Sequence, residues 1–550
     1  MLLIVVLLVI GLAPPAAGLA PQASAQPADL VVENARVYTV NQTRAVVTSF
    51  AVRDGKFAAV GEDAEKLAGP ATKRIDLKGA AVVPGLIDAH AHMAGLGALL
   101  ESRDLRHVAS VEAIAAIVKE EAAKRGPDEW VVLRNWDQTN WGGQFPASKD
   151  LDAASLGRPV YLTRVDGHAG WANSRALTLA GITKSTPDMA GGKIVRDAEG
   201  NATGILVDRA MGLVGAKIPR AGYAQVKRQL ELAGKECARL GLTGVHDAGV
   251  GADVLRAYRE LISEGRMPVR IYAMIGGDGA LWRAYLKRGP EAGEFLSVRA
   301  IKLMADGALG SRGAALWQPY TDDKQNTGLL VTPKEVIERV AREAAANGFQ
   351  VATHAIGDRA NRVVLDAYAA ALGGRNDKRF RVEHAQIVSL PDFKMFADYS
   401  VIASIQSTHA TSDMRWAEAR LGPDRIAGAY AWRRFLDLGV KVANGSDFPV
   451  EEPDPLLGLY AAFTRSDVKG LPPGGWTPDQ KMTRSEALES FTIGAAYAAF
   501  EENQKGSIEV GKLADFVVFD RDIMEVEPAA VLKAKVRMTV VGGKVVYEAK

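Results

Sequence analysis

The chain has 550 residues, 48% hydrophobic and 24% charged, the balance of an ordinary globular protein, which excludes long disorder and a fibrous repeat. Lys+Arg 67 against Asp+Glu 65 leaves a net charge of +2, so no global basic surface for nucleic acid is expected. A single cysteine, Cys237, excludes an internal disulfide.

Residues 1–28 hold no charged side chain, and 2–13 is an unbroken run of apolar and small residues. That run is shorter than the ~20 residues a membrane span needs. With the small-residue site Ala23-Ser24-Ala25 it reads as a signal peptide over 1–25, atypical in lacking a basic n-region residue. Export to the periplasm or medium is expected, with no stable span once the leader is cleaved; retention as an anchor is the alternative.

Strand-like runs follow at 30–32, 35–40, 47–52 and 57–60, broken by Asn41, Asp54-Gly55 and Gly61. The last stretch reads alike, with runs at 516–519, 536–541 and 545–547. Neither end has strands enough for a stable sheet. Residues 26–83 and 505–550 together therefore predict one small β-sandwich domain made from both chain ends.

Between them, apolar runs at 81–87, 131–134, 160–163, 242–245, 269–275, 298–304, 349–352, 380–382, 401–405 and 440–443 alternate with helical segments such as 337–346. Alternation of this kind marks βα units around a parallel sheet. The runs at 131 and 160 lie in a Trp-rich stretch (Trp130, Trp136, Trp141 and Trp171) and are assigned to an α/β insertion at about 105–225. The rest suit a TIM-like (β/α)8 barrel over 84–504, with the insertion after its first strand. The tryptophans suit a subdomain core or the wall of a pocket for a drug-sized ligand, with Asp137 beside them.

The histidines sit where such a barrel does chemistry. His90 and His92 end the first run two residues apart, on one face, and so can meet one ion. His354, His384 and Asp447 close later runs, at the carboxyl ends of strands where barrel enzymes keep their active sites. Together they point to a metal site. Lys302 lies within an apolar strand, and a buried ammonium is costly unless paired or chemically altered. It either becomes a carbamate bridging two cations or pairs with Asp306 or substrate. Asp306 and Arg312, on the loop after it, are candidates to contact substrate, as is His168 in the loop 165–171. His246 and His409 also end runs and could line the pocket; His107 reads as a surface residue. Cys237 reads as a buried small residue. No GxxxxGK[ST], dinucleotide fingerprint or GxSxG occurs in a strand-to-helix setting.

This pattern resembles the amidohydrolase superfamily, and more closely the amidohydrolase-3 group of YtcJ-like proteins. It is carried by Pro84-Gly85-Leu86-Ile87-Asp88-Ala89-His90-Ala91-His92, Asp166-Gly167-His168-Ala169, Lys302 with Ala305-Asp306-Gly307, His354-Ala355-Ile356-Gly357-Asp358, Val382-Glu383-His384-Ala385-Gln386 and Gly445-Ser446-Asp447-Phe448-Pro449-Val450. Gly511-Lys512-Leu513-Ala514-Asp515 matches the family's re-entry into the β-domain. The resemblance implies a metal-dependent hydrolase acting on a C–N bond. His90, His92 and Asp447 would hold one ion, His354 and His384 a second, and carboxylated Lys302 would bridge them. The ion implied is Zn²⁺, one or two per chain, with carbon dioxide taken up as the lysine carbamate in the two-ion form. A metal-bound hydroxide would attack the substrate carbonyl while Asp447 takes its proton and passes it to the leaving nitrogen. His168 would lie on the lid and hydrogen-bond the carbonyl or oxyanion. The expected partner is a small-molecule amide, N-acyl or N-aryl, with no nucleic acid; a homo-oligomer is left open. Two alternatives stand beside it: a mononuclear heterocycle deaminase on the same scaffold, and a periplasmic binding protein without turnover.

Overall fold

The structure, a computed structural model, describes residues 26–550. The expected leader and its cleavage site lie outside the described residues.

Eight parallel strands form the central barrel: β1 (Leu86–Ala91), β2 (Leu242–Val250), β3 (Arg270–Gly276), β4 (Leu296–Met304), β5 (Gln350–Ala355), β6 (Arg381–His384), β7 (Ile402–Gln406) and β8 (Val442–Gly445). They are hydrogen-bonded in that order. The ring closes where Asp447 N–H donates to His90 O at 2.7 Å and buried Asp88 accepts from Ser446 N–H and Oγ. Helices cover the outer face, so these strands read as near-continuous apolar runs. Helix Lys334–Ala346 shows how: Ile337, Val340, Ala341 and Ala344 are buried, one stripe at helical spacing.

The run at 81–87 is two strands rather than one. Ala81–Pro84 belongs to the β-domain and Leu86–Ala91 opens the barrel. They part at Gly85, where a Cβ would lie 2.1 Å from Thr243 Oγ1, so only glycine lets the chain pass β2. The run at 47–52 is likewise split, into Val46–Val47 and Phe50–Arg53. Strand Lys73–Asp76, too polar to signal itself, pairs parallel with Leu30–Glu33.

Both chain ends meet in one sheet: Phe516–Phe519 runs antiparallel to Ala81–Pro84. Phe50 of the facing four-stranded sheet packs edge-on against Phe516 with centroids 4.9 Å apart. The runs at 131 and 160 lie outside the barrel, in a five-stranded sheet with Ala169–Ala172, Gly192–Arg196 and Ala202–Asp208. Trp136 and Trp171 are core, packed on each other at 5.8 Å, with half-buried Trp141 stacked on Trp136 at 6.4 Å. Cys237 is buried on helix Tyr223–Arg239 against the Met93 sulfur.

Candidate functional site

His90 on β1, His92 just beyond it and Asp447 just beyond β8 converge, with their ligand atoms within 4.8 Å of one another. Asp447 Oδ1 lies 3.1 Å from His92 Nε2 and 3.6 Å from His90 Nε2. His354 and His384 adjoin them, their rings 4.5 Å apart, with His384 4.9 Å from His90. Lys302 Nζ lies 3.0 Å from His90 Nε2. It pairs with neither Asp306 nor another carboxylate among the described residues.

Each imidazole is held from behind. His90 Nδ1 bonds Glu383 Oε2, His92 Nδ1 bonds Ala248 O at 2.9 Å, and His384 Nδ1 bonds Gln406 Oε1 at 2.6 Å. His354 Nε2 faces Gly307 O at 3.3 Å. Backbone strain gathers here as well: His384 (φ 72°) and Asp447 (φ 59°) are left-handed without being glycine, a conformation that costs on the order of 1 kcal/mol and clusters at working sites.

The electrostatics favour metal binding. Burial, with the Lys302 charge behind it, pulls His90 down to about 4. Burial, then neighbouring cationic groups, holds His354 and His384 well below the usual imidazole range. The imidazoles are therefore neutral with lone pairs free to ligate. Burial works against ionising Asp447, but the imidazoles of His92 and His90 outweigh it and keep the carboxylate well below its usual range. Its Oδ1 is buried with no hydrogen-bond partner. An orphaned carboxylate oxygen beside two imidazoles has the chemistry of a divalent-cation site, and the donor set fits one. Burial also brings the Lys302 ammonium down to about 8.

Of these groups, His354, His384 and Asp447 line the floor of a cavity of about 630 Å³. Leu309, Ile356, Trp416, Leu457 and Tyr460 give it apolar wall; Asp137, Arg164, Asp413 and Arg415 give it polar points. His168 and His409 both line it, and His409 Nε2 stands 3.8 Å from Asp447 Oδ2. His107, exposed as anticipated, is nevertheless at its mouth. His246 is not: it is buried beneath the floor, its Nδ1 3.0 Å from Arg381 Nη1.

Asp306 and Arg312 are placed otherwise than their loop position suggested. Asp306 is fully buried and accepts from Ile356, Gly357 and Ala315 N–H, so its oxygens staple the loop rather than face the cavity. Arg312 turns away to Asp322 at 2.9 Å, drawn by a carboxylate on its own surface. What the loop does instead is receive the insertion. Added Cβ atoms at Gly307 and Gly313 would lie 2.4 and 2.5 Å from Asp208 Oδ2, and one at Gly310 2.7 Å from Arg164 Nη1. Three glycines at three-residue spacing thus form sockets for two insertion side chains. Asp208 in turn accepts from His168 Nδ1 at 2.6 Å. Burial alone would lower His168, but Asp208, with Asp166 and Asp306 behind it, holds it up at about 9. His168 is thereby a cationic hydrogen-bond donor over the site, its ring 5.0 Å from that of His354. Asp208 escaped sequence inspection because its partner is 40 positions away; the Gly-x-x-Gly-x-x-Gly spacing was the available signal.

Residues 73–547 match the Amidohydrolase family. The chain is 33% identical to the protein YtcJ of Bacillus subtilis (strain 168), over 93% of this chain and 98% of that one. It is 30% identical to the N-substituted formamide deformylase of Arthrobacter pascens, over 94% of this chain and 98% of that one. Among solved structures, it superposes with TM-score 0.73 on an uncharacterized metal-dependent hydrolase from Pyrococcus horikoshii OT3, 28% identical, over 91% of this chain and 99% of that one.

Proposed function

The chain belongs to the amidohydrolase family, metal-dependent hydrolases acting on carbon–nitrogen bonds, and from that premise we propose that it hydrolyses the amide of an N-acyl or N-aryl small molecule at the His90–His92–Asp447 centre. The observation that carries this is the convergence of those three donors, with Asp447 Oδ1 unpartnered and Asp447 itself lining a cavity sized for a drug-like ligand. The formamide deformylase relative is by its name an enzyme of N-substituted amides, which supports the substrate class.

His90, His92 and Asp447 would hold a divalent ion, with His354, His384 and Lys302 beside them for a second. Imidazole and carboxylate donors favour zinc. Such an ion supplies Lewis acidity towards a carbonyl and lowers the pKa of water towards roughly 7. The protein's own groups do the rest. His168 donates to the substrate carbonyl oxygen, where negative charge develops. Asp447, ionised at neutral pH, takes the proton of the attacking water and delivers it to the departing nitrogen, so the amine leaves neutral. The apolar walls seat the substituent and exclude bulk water. Burial favours the uncharged amine of Lys302, which would supply a further donor to the centre as a carbamate were it to take up carbon dioxide with loss of a proton.

Metal per chain, measured on protein purified without chelator, tests the centre. About two equivalents falling towards one or none in Lys302→Ala would support the bridged form; about one, unchanged in Lys302→Ala, would favour a single ion and make ammonia release from heterocycles the assay. Screening N-acyl and N-aryl amides for carboxylate release then tests the reaction. Asp447→Asn is expected to cost at least 10²-fold in rate, and an unchanged rate would sink the proposed mechanism.

A further inference from the structure

Arg381 and Glu383 are charged residues two apart on β6, so they share the face turned into the barrel interior. Both are 0% exposed. Arg381 grips both Glu383 oxygens, Nε to Oε1 at 2.5 Å and Nη2 to Oε2 at 2.9 Å. Nη2 also lies 2.6 Å from Ala89 O and 2.7 Å from Ser404 Oγ, sharing its two hydrogens among these acceptors, and Nη1 lies 3.0 Å from His246 Nδ1. Ser404 Oγ donates to Glu383 Oε2 at 2.7 Å. The same Oε2 takes the His90 Nδ1–H. With three donors on that oxygen, Glu383 has no freedom to swing away.

A carboxylate only accepts. The hydrogen of neutral His90 must therefore sit on Nδ1, leaving the lone pair on Nε2. That nitrogen is the one turned to Lys302 Nζ at 3.0 Å and Asp447 Oδ1 at 3.6 Å. A buried ion pair is by itself weak evidence of stabilisation, because desolvation offsets the Coulomb gain. This one touches a candidate ligand directly, which gives it a use that stability does not.

We propose that Glu383, locked by Arg381 and Ser404, is the positioning residue of the metal centre: it clamps His90 in one tautomer and one orientation so that only Nε2 is offered to an ion. The proposal rests on the metal assignment above. Strand β6 would then act twice, supplying His384 as a donor and, from the residue before it, fixing the donor of β1.

The test uses the full chain stripped of metal, with zinc and cobalt(II) ions as probes and a chromophoric chelator as competitor. Glu383→Gln is expected to bind zinc about 10- to 100-fold more weakly, with shifted cobalt d–d bands that record an altered ligand field. Ser404→Ala, which leaves the ion pair intact, is expected to weaken zinc by about 3- to 10-fold. A Glu383→Gln protein that melts lower yet binds zinc within twofold of wild type, with unchanged cobalt bands, would make the clamp structural only and overturn the proposal. Should Glu383→Gln fail to fold, Ser404→Ala decides, and unchanged affinity there overturns it. Wild type that holds no ion would fell the metal assignment and this proposal with it, whereas wild type that binds while the variants bind equally fells the clamp alone.

Discussion

Asp413 shows how burial sets the behaviour of a single side chain in the pocket. Desolvation pushes its carboxyl up to about 6, with the nearby His409 and the Tyr430 hydroxyl only partly opposing. Tyr430 Oη donates to Oδ2 at 2.6 Å, and Gln386 Nε2 donates to the same oxygen at 3.2 Å. Its folded pKa lies above the unfolded value, so between about pH 4 and 6 the folded chain binds the extra proton. Asp413 therefore withdraws stability as pH rises through that window. Asp413→Asn, which cannot ionise, should match wild type in urea denaturation near pH 4 and exceed it by roughly 2–3 kcal/mol at pH 7, about two pKa units at 1.36 kcal/mol each. A constant difference at both pH values would mean that packing, not ionisation, governs the site.

The left-handed conformations of His384 and Asp447 belong to the same scale. Neither is legible in a list of residues. They arise where a strand must end abruptly and aim a donor inward, and the surrounding hydrogen bonds, such as Asp447 N–H to His90 O at 2.7 Å, over-determine them.

Among the elements, the loop after β4 couples two layers of the protein. Its glycines seat Asp208 and Arg164 of the insertion, while the Gly307 carbonyl faces His354 Nε2 at 3.3 Å. Gly307→Ala puts a methyl 2.4 Å from Asp208 Oδ2, so either the loop or the insertion must move. Overpacking of this kind typically costs about 1–3 kcal/mol. The expected outcome is a lower urea midpoint, unchanged metal per chain, and a kcat at least tenfold down on whichever amide the wild type hydrolyses, because His168 loses its hold. Metal loss in this variant would show that the loop supports the candidate ligands rather than His168.

The strand pattern itself was largely readable. All eight barrel strands overlap apolar runs, because burial on both faces demands them, although β1 shares only Leu86 and Ile87 with the run at 81–87. Gly85 hid the junction at 81–87, since nothing local distinguishes a glycine inside a strand from one between two. Strand Lys73–Asp76 was invisible because it is polar and held by pairing with Leu30–Glu33 alone.

At the scale of the whole molecule, the β-domain is fastened to the barrel by a buried charge pair. Arg270 on β3 meets Asp515 through Nε at 2.8 Å and Nη2 at 2.9 Å, and both side chains are nearly inaccessible. Asp515 also takes Gly542 N–H at 2.7 Å, so it ties the C-terminal strands to the barrel. Removing one partner of a buried pair strands the other charge, at a cost of about 3–5 kcal/mol. Asp515→Ala should lose stability on that order in urea denaturation while metal per chain stays as in wild type, since the pair lies on barrel strand β3 and in the β-domain, outside the group of candidate ligands. Loss of metal in step with stability would show that the two regions are not energetically separate.

The sequence by itself determined the barrel and the closure of both chain ends into one domain. It also singled out His90, His92, Lys302, His354, His384 and Asp447 as candidate donors. Periodicity and strand-end placement are local properties, written in consecutive residues. Only the tertiary structure decided which charged groups serve the site from behind. Glu383 meets His90 across 293 positions and Asp208 meets His168 across 40. It also decided that Asp306 is a staple and that Arg312 points away. Such pairings depend on which strands close the barrel and how the insertion seats on its glycines, geometry that no stretch of neighbouring residues encodes.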